Sequence, residues 1–511
     1  MTVLILLCLF MLMILSLYLW FRHKYSYWSK RGVFGPRPVV LFGNMLDVLM
    51  SRKQIFQPYC DYYFKYKHLP YVGLYSFSQP VLTINDLELA RHILIKDFNY
   101  FEARGTFPGS AGDPLSDNLF NMQGNRWKGL RSKMSPTFTM GKLKSIYPLV
   151  EKIADEAMHY AESKNIDEEA INFTELYSKF SMEVTGSIGF GVEFKGFKNS
   201  NSKFFEYGRG YFKPENMYWN FVRVLALFEP HLFMKIGFQR IQPKITTFFS
   251  NLVETVVKYR EENVFYKRND YIQTLIDLMK GRVVDENGKS NKIDTDFSFS
   301  MTDVAANTML YMIAGSDTST ITSLITAYEL ARNPDVQNRV REEILSVLAR
   351  HDGRYTFEAQ NEMKYLNMVI DETMRIHPPM RALIRRCTND YKVPNSDLII
   401  EEGTLVFLPV QAYQMDPDIF PDPENFDPER FTAINKANMH PCHWMPFGAG
   451  PRKCLGLRQG YIQTKLALIM ILQRYELLLD ERTEIPIKVK KSSLTYAPET
   501  DIWLKLRKIS N

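Results

Sequence analysis

A cysteine flanked by glycines near the end of the chain constrains the fold more than any other feature. Residues 447–456 read FGAGPRKCLG, with the cysteine at Cys454. Only a deprotonated thiol is a good metal ligand, and Lys453 and the amides after the cysteine supply a field that holds it so. Gly450 and Gly456 allow the backbone to press against a porphyrin with no Cβ in between. The segment predicts a thiolate ligand for haem iron, and the alternative is a surface turn with an incidental cysteine.

The composition is that of a folded protein rich in aromatic residues. Of 511 residues, 45% are hydrophobic and 14% aromatic, which argues against disorder. The net charge of +6 is modest for this length and argues against nucleic-acid binding. The few cysteines have no framework spacing, which favours a reducing compartment. They are Cys8, Cys60, Cys387, Cys442 and Cys454.

The first residues predict a transmembrane anchor at 1–21. Residues 3–21 carry no charge and, as a helix, can cross a hydrocarbon layer of roughly 30 Å. Basic residues follow between positions 22 and 31, and the positive-inside tendency places the rest of the chain in the cytoplasm. The alternative is a cleaved secretory signal. The sequon at Asn172 separates these topologies, because only a secreted domain would carry sugar there.

The chain after the anchor divides into a hinge and one large domain. Residues 22–38 are basic and then rich in Gly and Pro, which indicates a stiff hinge before a catalytic domain at 39–511.

Helical periodicity dominates this domain. Short strands are expected at 71–74 and 81–84. The polar residues 281–300 predict an exposed loop, followed by a long buried helix over 302–333.

The middle of that long helix carries two small residues and then two polar ones. Ala314 and Gly315 leave room beside the backbone, and Asp317 and Thr318 follow. A buried polar pair costs free energy unless it is hydrogen-bonded or used. The alternative is ordinary packing, with the Thr318 hydroxyl bonded to a carbonyl of its own helix.

Together these segments resemble the cytochrome P450 superfamily, from the anchor to the C-terminus and in the expected order. The cysteine loop carries the match most densely, through Phe447, Gly450, Arg452, Cys454 and Gly456. The resemblance implies the cytochrome P450 fold, mainly α with small β-sheets, as a single large haem domain with an N-terminal transmembrane helix. Finer details, such as residues 268–271 and 387–391, are most similar to microsomal, detoxification-type members found in insects.

The resemblance also implies a cofactor and a chemistry. The cofactor is haem b with Cys454 as axial ligand, and NADPH supplies electrons only through a reductase. One atom of dioxygen enters a lipophilic substrate, with Thr318 hydrogen-bonding to oxygen at the haem and Asp317 helping to bring protons from solvent. A buried charge network, costly unless every member is satisfied, is implied for Glu372, Arg375 and Arg430.

Several contacts to the haem follow from the same resemblance. Trp127 and Arg131 lie one helical turn apart, a spacing that can grip a propionate, and Arg452 offers a planar fork for the same purpose. For Arg104 and Arg385 the alternative is a solvated arginine. The expected contacts are Arg104, Trp127, Arg131, Ala314, Gly315, Arg385, Phe447, Gly450, Arg452 and Gly456.

The substrate pocket is the least constrained part. The positions that line the cavity in relatives are Leu119, Phe120, Tyr311, Leu383 and Ile384. Aromatic residues crowd the region where the family has a mobile roof, and core packing is an equal alternative. They are Phe204, Phe205, Tyr207, Tyr211, Phe212, Met217, Tyr218, Trp219, Phe221, Phe228, Phe233 and Phe238, with one methionine among them.

Arg381 departs from the family pattern, which has proline or an apolar residue there. It can pair with an anionic substrate, point to a propionate or face solvent. We favour the last two, because an unpaired guanidinium in an apolar pocket is costly.

The resemblance implies NADPH–cytochrome P450 reductase as a partner, with cytochrome b5 as a second candidate. It also implies a single-pass location in the endoplasmic reticulum membrane. A basic face is expected to dock an acidic reductase, and the alternative is a set of scattered solvated side chains. Its residues are Lys128, Lys133, Lys142, Lys144, Lys453 and Arg458.

Other functions remain open. Instead of clearing xenobiotics such as insecticides and plant toxins, the enzyme can be a dedicated hydroxylase or epoxidase of an endogenous terpenoid, steroid or fatty acid. A non-catalytic haem-binding protein or a peroxide isomerase needs Cys454, but residues 314–318 argue against both. Zinc at Cys442 is disfavoured, because four tetrahedral ligands are not available in the short segment around it.

Overall fold

The protein is mainly helical with small sheets, which confirms the predicted fold class. The computed structural model describes residues 1–105, 112–165, 169–198, 202–210, 239–263, 270–284, 290–292 and 299–509, and single positions between 222 and 268. The described α-helices are α1 (Thr2–Lys24), α2 (Leu46–Leu49), α3 (Gln57–Tyr66), α4 (Leu87–Arg91), α5 (Gly124–Met134), α6 (Met140–Lys164), α7 (Phe173–Phe190), α8 (Lys203–Gly210), α9 (Pro243–Glu262), α10 (Tyr271–Met279), α11 (Met301–Arg332), α12 (Pro334–Ala349), α13 (Phe357–Glu362), α14 (Lys364–Ile376), α15 (Val410–Gln414), α16 (Ala433–Asn438) and α17 (Leu457–Leu472).

The strands form small sheets. They are β1 (Tyr71–Ser76), β2 (Gln79–Ile84), β3 (Ile171–Asn172), β4 (Arg282–Val284), β5 (Ser290–Lys292), β6 (Leu383–Arg386), β7 (Tyr391–Lys392), β8 (Ile399–Ile400), β9 (Leu405–Leu408), β10 (Tyr475–Leu479) and β11 (Trp503–Lys508). The largest sheet has the order β1-β2-β9-β6, and a second has the order β10-β11-β3. β1 and β2 confirm the two predicted strands.

The predicted loop over residues 281–300 is wrong in part. β4 and β5 lie inside it and pair antiparallel, whereas 285–289 and 293–298 lie outside the described residues. The Gly and Asn signals between these strands indicate a hairpin turn as readily as a loop.

The long helix α11 lies at the centre of the core. Ser300 caps its first turn in a capping box with Asp303, and the helix ends just before Pro334. Most of its residues are buried, which confirms the prediction of a long buried helix. It packs closely on α7, since a Cβ added at Gly189 would lie 2.9 Å from the ring of Tyr311.

The N-terminal helix α1 stands clear of the domain. Its most apolar stretch has a mean hydropathy of 2.8 and is not buried, and it is long enough to cross a membrane. Only Phe21 is buried within it.

The predicted hinge docks on the first sheet. Trp28 is buried, and its Nε1 donates to the carbonyl of Leu74 at 2.9 Å. A Cβ at Gly73 would overlap the Trp28 ring, so this glycine is what admits the indole. Arg31 pairs with Glu401 between β8 and β9. These contacts stiffen the segment more than its Gly and Pro content alone.

Candidate active site

The cysteine loop is held by its own backbone and by close packing. The amide of Cys454 donates to the carbonyl of Phe447 at 2.8 Å. Gly450 has a φ of +68°, and a Cβ there would lie 1.8 Å from the carbonyl oxygen of Leu94. The packing of the protein itself therefore requires this glycine, and its close approach to a flat ligand stays a prediction. At Gly456 a Cβ would meet only the ring of Phe138, at 3.8 Å, so this position has room beside it.

The Cys454 sulfur lies beside a backbone amide and three cations that oppose the effect of burial on its thiol. The pKa of this thiol is nevertheless raised, because desolvation outweighs the backbone amide of Gly456 and the cations of Arg104, Arg131 and Lys453, which lower it. The predicted contribution of Lys453 and the following amides therefore agrees with the geometry, and two distant arginines add to it.

Those arginines bind the cysteine loop directly. Arg104 Nη2 donates to the carbonyl of Arg452 at 3.0 Å, and Arg131 Nη2 donates to the carbonyl of Lys453 at 2.7 Å. The guanidinium of Arg104 also stacks on Phe120, with 4.1 Å between its Cζ and the ring centroid. Both side chains thus lie beside the ligand candidate.

Four guanidinium groups crowd this part of the site. Desolvation lowers the pKa of Arg104, Arg131, Arg385 and Arg452. Neighbouring arginines further lower the pKa values of Arg104, Arg385 and Arg452. Glu102, which pairs with Lys128 at 3.1 Å, raises the pKa of Arg452. Buried like charges are expensive unless an anion joins them.

Two of these guanidinium groups have N–H donors that are not used in hydrogen bonds within the described residues. Within the described residues, Nε of Arg104 and Nε of Arg385 are shielded from solvent and have no hydrogen-bond partner. Arg385 is not a solvated arginine, because it is 1% exposed and its Nη1 donates to the carbonyl of Ile384. Two carboxylates of one ligand, as in the propionates of haem, match this surplus of charge and donors.

Arg452, for which a contact to a propionate is predicted, makes extensive contacts within the protein. Its guanidinium donates to the carbonyls of Glu102, Leu119 and Met122 and stacks 3.9 Å from the ring of Trp127. These bonds join the cysteine loop to the segment before α5. The planar fork is thereby engaged by the protein, and Arg452 orders the walls of the site.

The predicted charge network is assembled around Glu372. Arg375 donates to it from Nε at 2.7 Å and from Nη2 at 2.8 Å, and Arg430 Nε lies 3.5 Å from Oε1. Arg375 also donates to backbone carbonyls, including that of Gln414 at 2.9 Å. Arg375 is thus fully bonded, whereas Arg430 donates from Nη2 to the carbonyl of Asp422 at 2.9 Å and its Nε has no hydrogen-bond partner among the described residues.

On α11, the small and polar residues have separate environments. Gly315 faces α7, where a Cβ would lie 2.8 Å from Thr185, so it serves helix packing. Ala314 is exposed, and its carbonyl accepts from Thr318 Oγ1 at 2.7 Å. The α-helix is continuous across these residues. The alternative of a back-bonded Thr318 is therefore what this structure shows.

One carboxylate oxygen of Asp317 is not hydrogen-bonded within the described residues. Its Oδ2 is shielded from solvent without a hydrogen-bond partner among the described residues. Burial raises its pKa to about 6, and a hydrogen bond with Thr495 lowers it. A carboxyl group near neutrality can both accept and release protons.

Comparison with known sequences decides the family. The model of the family described as "Cytochrome P450" matches residues 34–504. Cytochrome P450 6k1 of Blattella germanica is 36% identical over 500 residues, which cover 96% of this chain and 95% of that protein. Cytochrome P450 6a2 of Drosophila melanogaster is 36% identical over 501 residues, covering 96% of each.

The chain belongs to the cytochrome P450 family. Cytochrome P450 9e2 of Blattella germanica, at 32% identity over 517 residues, is a further relative. Membership makes the protein a haem-thiolate monooxygenase, since the family uses haem with a cysteine thiolate ligand and an electron donor through a reductase.

The candidate pocket residues of this P450 do not all face one space. Leu119 donates its amide to Asn307 of α11 at 2.9 Å, and Leu383 lies close to Gly448 of the cysteine loop. Ile384 faces away from Leu383, because side chains alternate along β6, and it packs with the cluster around Phe407, so its place in the pocket stays a prediction.

Tyr311 lies among packed helices, and its place in the substrate pocket stays a prediction. Its ring stacks on Tyr271 with centroids 4.2 Å apart, and its hydroxyl accepts from Gln459 Nε2 at 2.5 Å. It is packed between α7, α10 and α17. One residue along a helix turns a side chain by about 100°, which a positional comparison does not resolve.

Arg381 of this P450 is shielded from solvent and pairs with no carboxylate within the described part of the chain. It is 4% exposed and donates to the side-chain oxygens of Gln54, Gln57 and Gln411. The expectation of a propionate or solvent partner is wrong. Sequence reasoning missed these glutamines, because two lie more than 300 positions away and carry no motif.

The aromatic region is described in part. Phe204 and Phe205 are buried and Tyr207 packs against the same core, which is the core-packing alternative. Phe233 is described as a single position. The others, Tyr211, Phe212, Met217, Tyr218, Trp219, Phe221, Phe228 and Phe238, lie outside the described residues.

Cys442 has the environment of a structural cysteine. It is fully buried, and burial raises the pKa of its thiol to about 12. His440 beside it accepts from the Cys442 amide and pairs with Glu88. The Cys442 thiol is poorly suited to ligation compared with the Cys454 thiol, because three cations near Cys454 oppose the effect of desolvation.

Proposed function

We propose that this P450 hydroxylates or epoxidises lipophilic small molecules, in particular xenobiotics, with Cys454 as the haem ligand. The observation that carries the proposal is the group of buried arginines around Cys454, whose charges and unpartnered donors fit the two propionates of haem. The resemblance to insect detoxification-type members supports the substrate class.

The roles of the residues follow from their surroundings. Arg104, Arg131 and Arg385 would bind the propionates, and Trp127 would support them through its stack with Arg452. Gly456 would leave space for the porphyrin next to the sulfur. When bound, the haem supplies activation of dioxygen, of which one atom enters the substrate and the other becomes water.

Asp317 and Thr318 would supply the protons that this reaction consumes. The free oxygen of Asp317 and its raised pKa suit a carboxyl group that takes protons from solvent and passes them on. The Thr318 hydroxyl would give up its hydrogen bond to the Ala314 carbonyl and donate on the substrate side of the haem instead. The exchange costs little, because such intrahelical bonds are weak.

The electrons would come from NADPH through a reductase that docks on the basic face. Lys453 and Arg458 are exposed there, whereas Lys128 and Lys144 are paired with Glu102 and Glu358. Exposed cations steer an acidic partner in a salt-dependent way. Coupling that is insensitive to salt would count against this face.

We further propose that α1 holds the protein in the endoplasmic reticulum membrane with the domain in the cytoplasm. The sequon supports this topology, because Asn172 donates to Asp501 and accepts from the Glu175 amide, while Thr174 accepts from the Ile502 amide. A glycan would disrupt these bonds. A glycosidase-sensitive mass at Asn172 would overturn the topology.

The test is turnover with reductase and NADPH on a panel of plant toxins, insecticides, terpenoids and fatty acids. We expect Thr318→Ala to form less product for each NADPH consumed, with the remainder released as peroxide. Thr320→Ala is the matched control, since it removes a hydroxyl two positions on that bonds to Tyr177. Equal coupling in native protein and Thr318→Ala would refute the proton-delivery role.

A further inference from the structure

Asp371 is a buried carboxylate that the charge network does not use. It precedes Glu372 on α14 and is fully buried. Its carboxylate accepts from the hydroxyl of Tyr461 and the ammonium of Lys436, and its carbonyl accepts from Trp444 Nε1 at 3.2 Å. A carboxylate away from water is costly unless it is bonded in this way.

Two of these partners contact the ring of Phe447. The ring of Tyr461 is 5.5 Å from that of Phe447, and the ring of Trp444 is 6.4 Å from it, measured between centroids. Phe447 in turn accepts the hydrogen bond from the amide of Cys454. A continuous set of contacts therefore joins Asp371 to the haem ligand.

We propose that Asp371 is a positioning residue for the cysteine loop. Its carboxylate holds Tyr461 and its backbone carbonyl holds Trp444, and these two rings fix Phe447 and thus the orientation of the Cys454 sulfur. The inference rests on the proposed haem ligation by Cys454. Groups that orient a metal ligand tune the metal and are worth about 10–100-fold in affinity or activity.

Lys436 completes the arrangement. Its ammonium pairs with Asp371 and lies 5.6 Å from the ring centroid of Trp444, while its side chain is 40% exposed. It balances the buried negative charge, so that the carboxylate holds the Tyr461 hydroxyl without remaining an uncompensated charge.

The test compares Asp371→Asn and Tyr461→Phe with native full-length, haem-loaded protein. The readouts are the iron–sulfur stretching frequency from resonance Raman spectra and the rate at which the ferrous carbonyl complex loses thiolate ligation. Tyr177→Phe is the matched control. This change also removes a buried tyrosine hydroxyl, which donates to the carbonyl of Ala467 on α17 at 3.0 Å, but Tyr177 lies on α7.

We expect both variants to shift the stretching frequency and to lose thiolate ligation about 10-fold faster or more, with Tyr177→Phe unchanged in both readouts. Native behaviour in Asp371→Asn and Tyr461→Phe would overturn the inference. If Asp371→Asn does not fold, Tyr461→Phe decides alone. A native protein without thiolate-ligated haem would overturn the proposed ligation and this inference with it.

Discussion

Arg375 donates two hydrogen bonds to Glu372, from Nε to Oε2 at 2.7 Å and from Nη2 to Oε1 at 2.8 Å, and neither side chain is exposed. The pair lies on α14, next to Asp371, for which we propose a role in positioning the cysteine loop. We therefore expect its integrity to be a condition for haem binding as well as for packing.

Removal of the acid should leave two cations without compensation. We expect Glu372→Ala to lose about 3–5 kcal/mol of stability and to yield little haem-loaded protein. The measurement is haem per polypeptide in purified membranes. Glu342→Ala, an exposed acid on α12, is the control and should load normally. Normal haem content in Glu372→Ala would show that the network is dispensable.

Arg381 should not select for acidic ligands, because its donors are taken by three glutamines. In spectral titrations we expect the preference between an acid and its methyl ester to be the same in native protein and Arg381→Ala. The variant should instead unfold at a lower temperature, since Gln54, Gln57 and Gln411 lose a shared partner. A preference for the acid that disappears in Arg381→Ala would contradict this reading.

Asp317 should make stability fall as pH rises. Its folded pKa of about 6 lies above the ordinary value of 3.8, so folding favours the protonated form. As pH rises from about 4 to 6, Asp317 ionises in the unfolded chain before it does so in the folded protein. The free energy of unfolding of the native protein therefore falls by about 3 kcal/mol relative to that of Asp317→Asn. The difference between the two unfolding temperatures should therefore grow between these pH values, and a constant difference would refute the assignment.

Gly450 should tolerate no side chain. An alanine would adopt left-handed backbone at a cost of about 1–2 kcal/mol and would also collide with the Leu94 carbonyl. We expect Gly450→Ala to give little folded, haem-loaded protein. Gly141→Ala on α6, where a Cβ meets nothing within 4 Å, should load haem like the native protein. Full loading of Gly450→Ala would show that the loop can relax.

The sequence predicted most where the motif is local. The cysteine loop, the Glu372 and Arg375 pair and the capped helix α11 are each specified by residues close in sequence. Contacts between distant segments were less accessible. The glutamines around Arg381 carry no signal, and the orientation of Tyr311 and Ile384 depends on helix rotation and strand alternation that a one-residue offset reverses.

The most direct measurement is the absorption spectrum of the ferrous carbonyl complex of native protein, Cys454→Ser and Cys442→Ser. We expect the red-shifted Soret band of thiolate-ligated haem in the native protein and in Cys442→Ser, and its loss in Cys454→Ser. A thiolate-type band that survives in Cys454→Ser, or that is lost in Cys442→Ser alone, would contradict it.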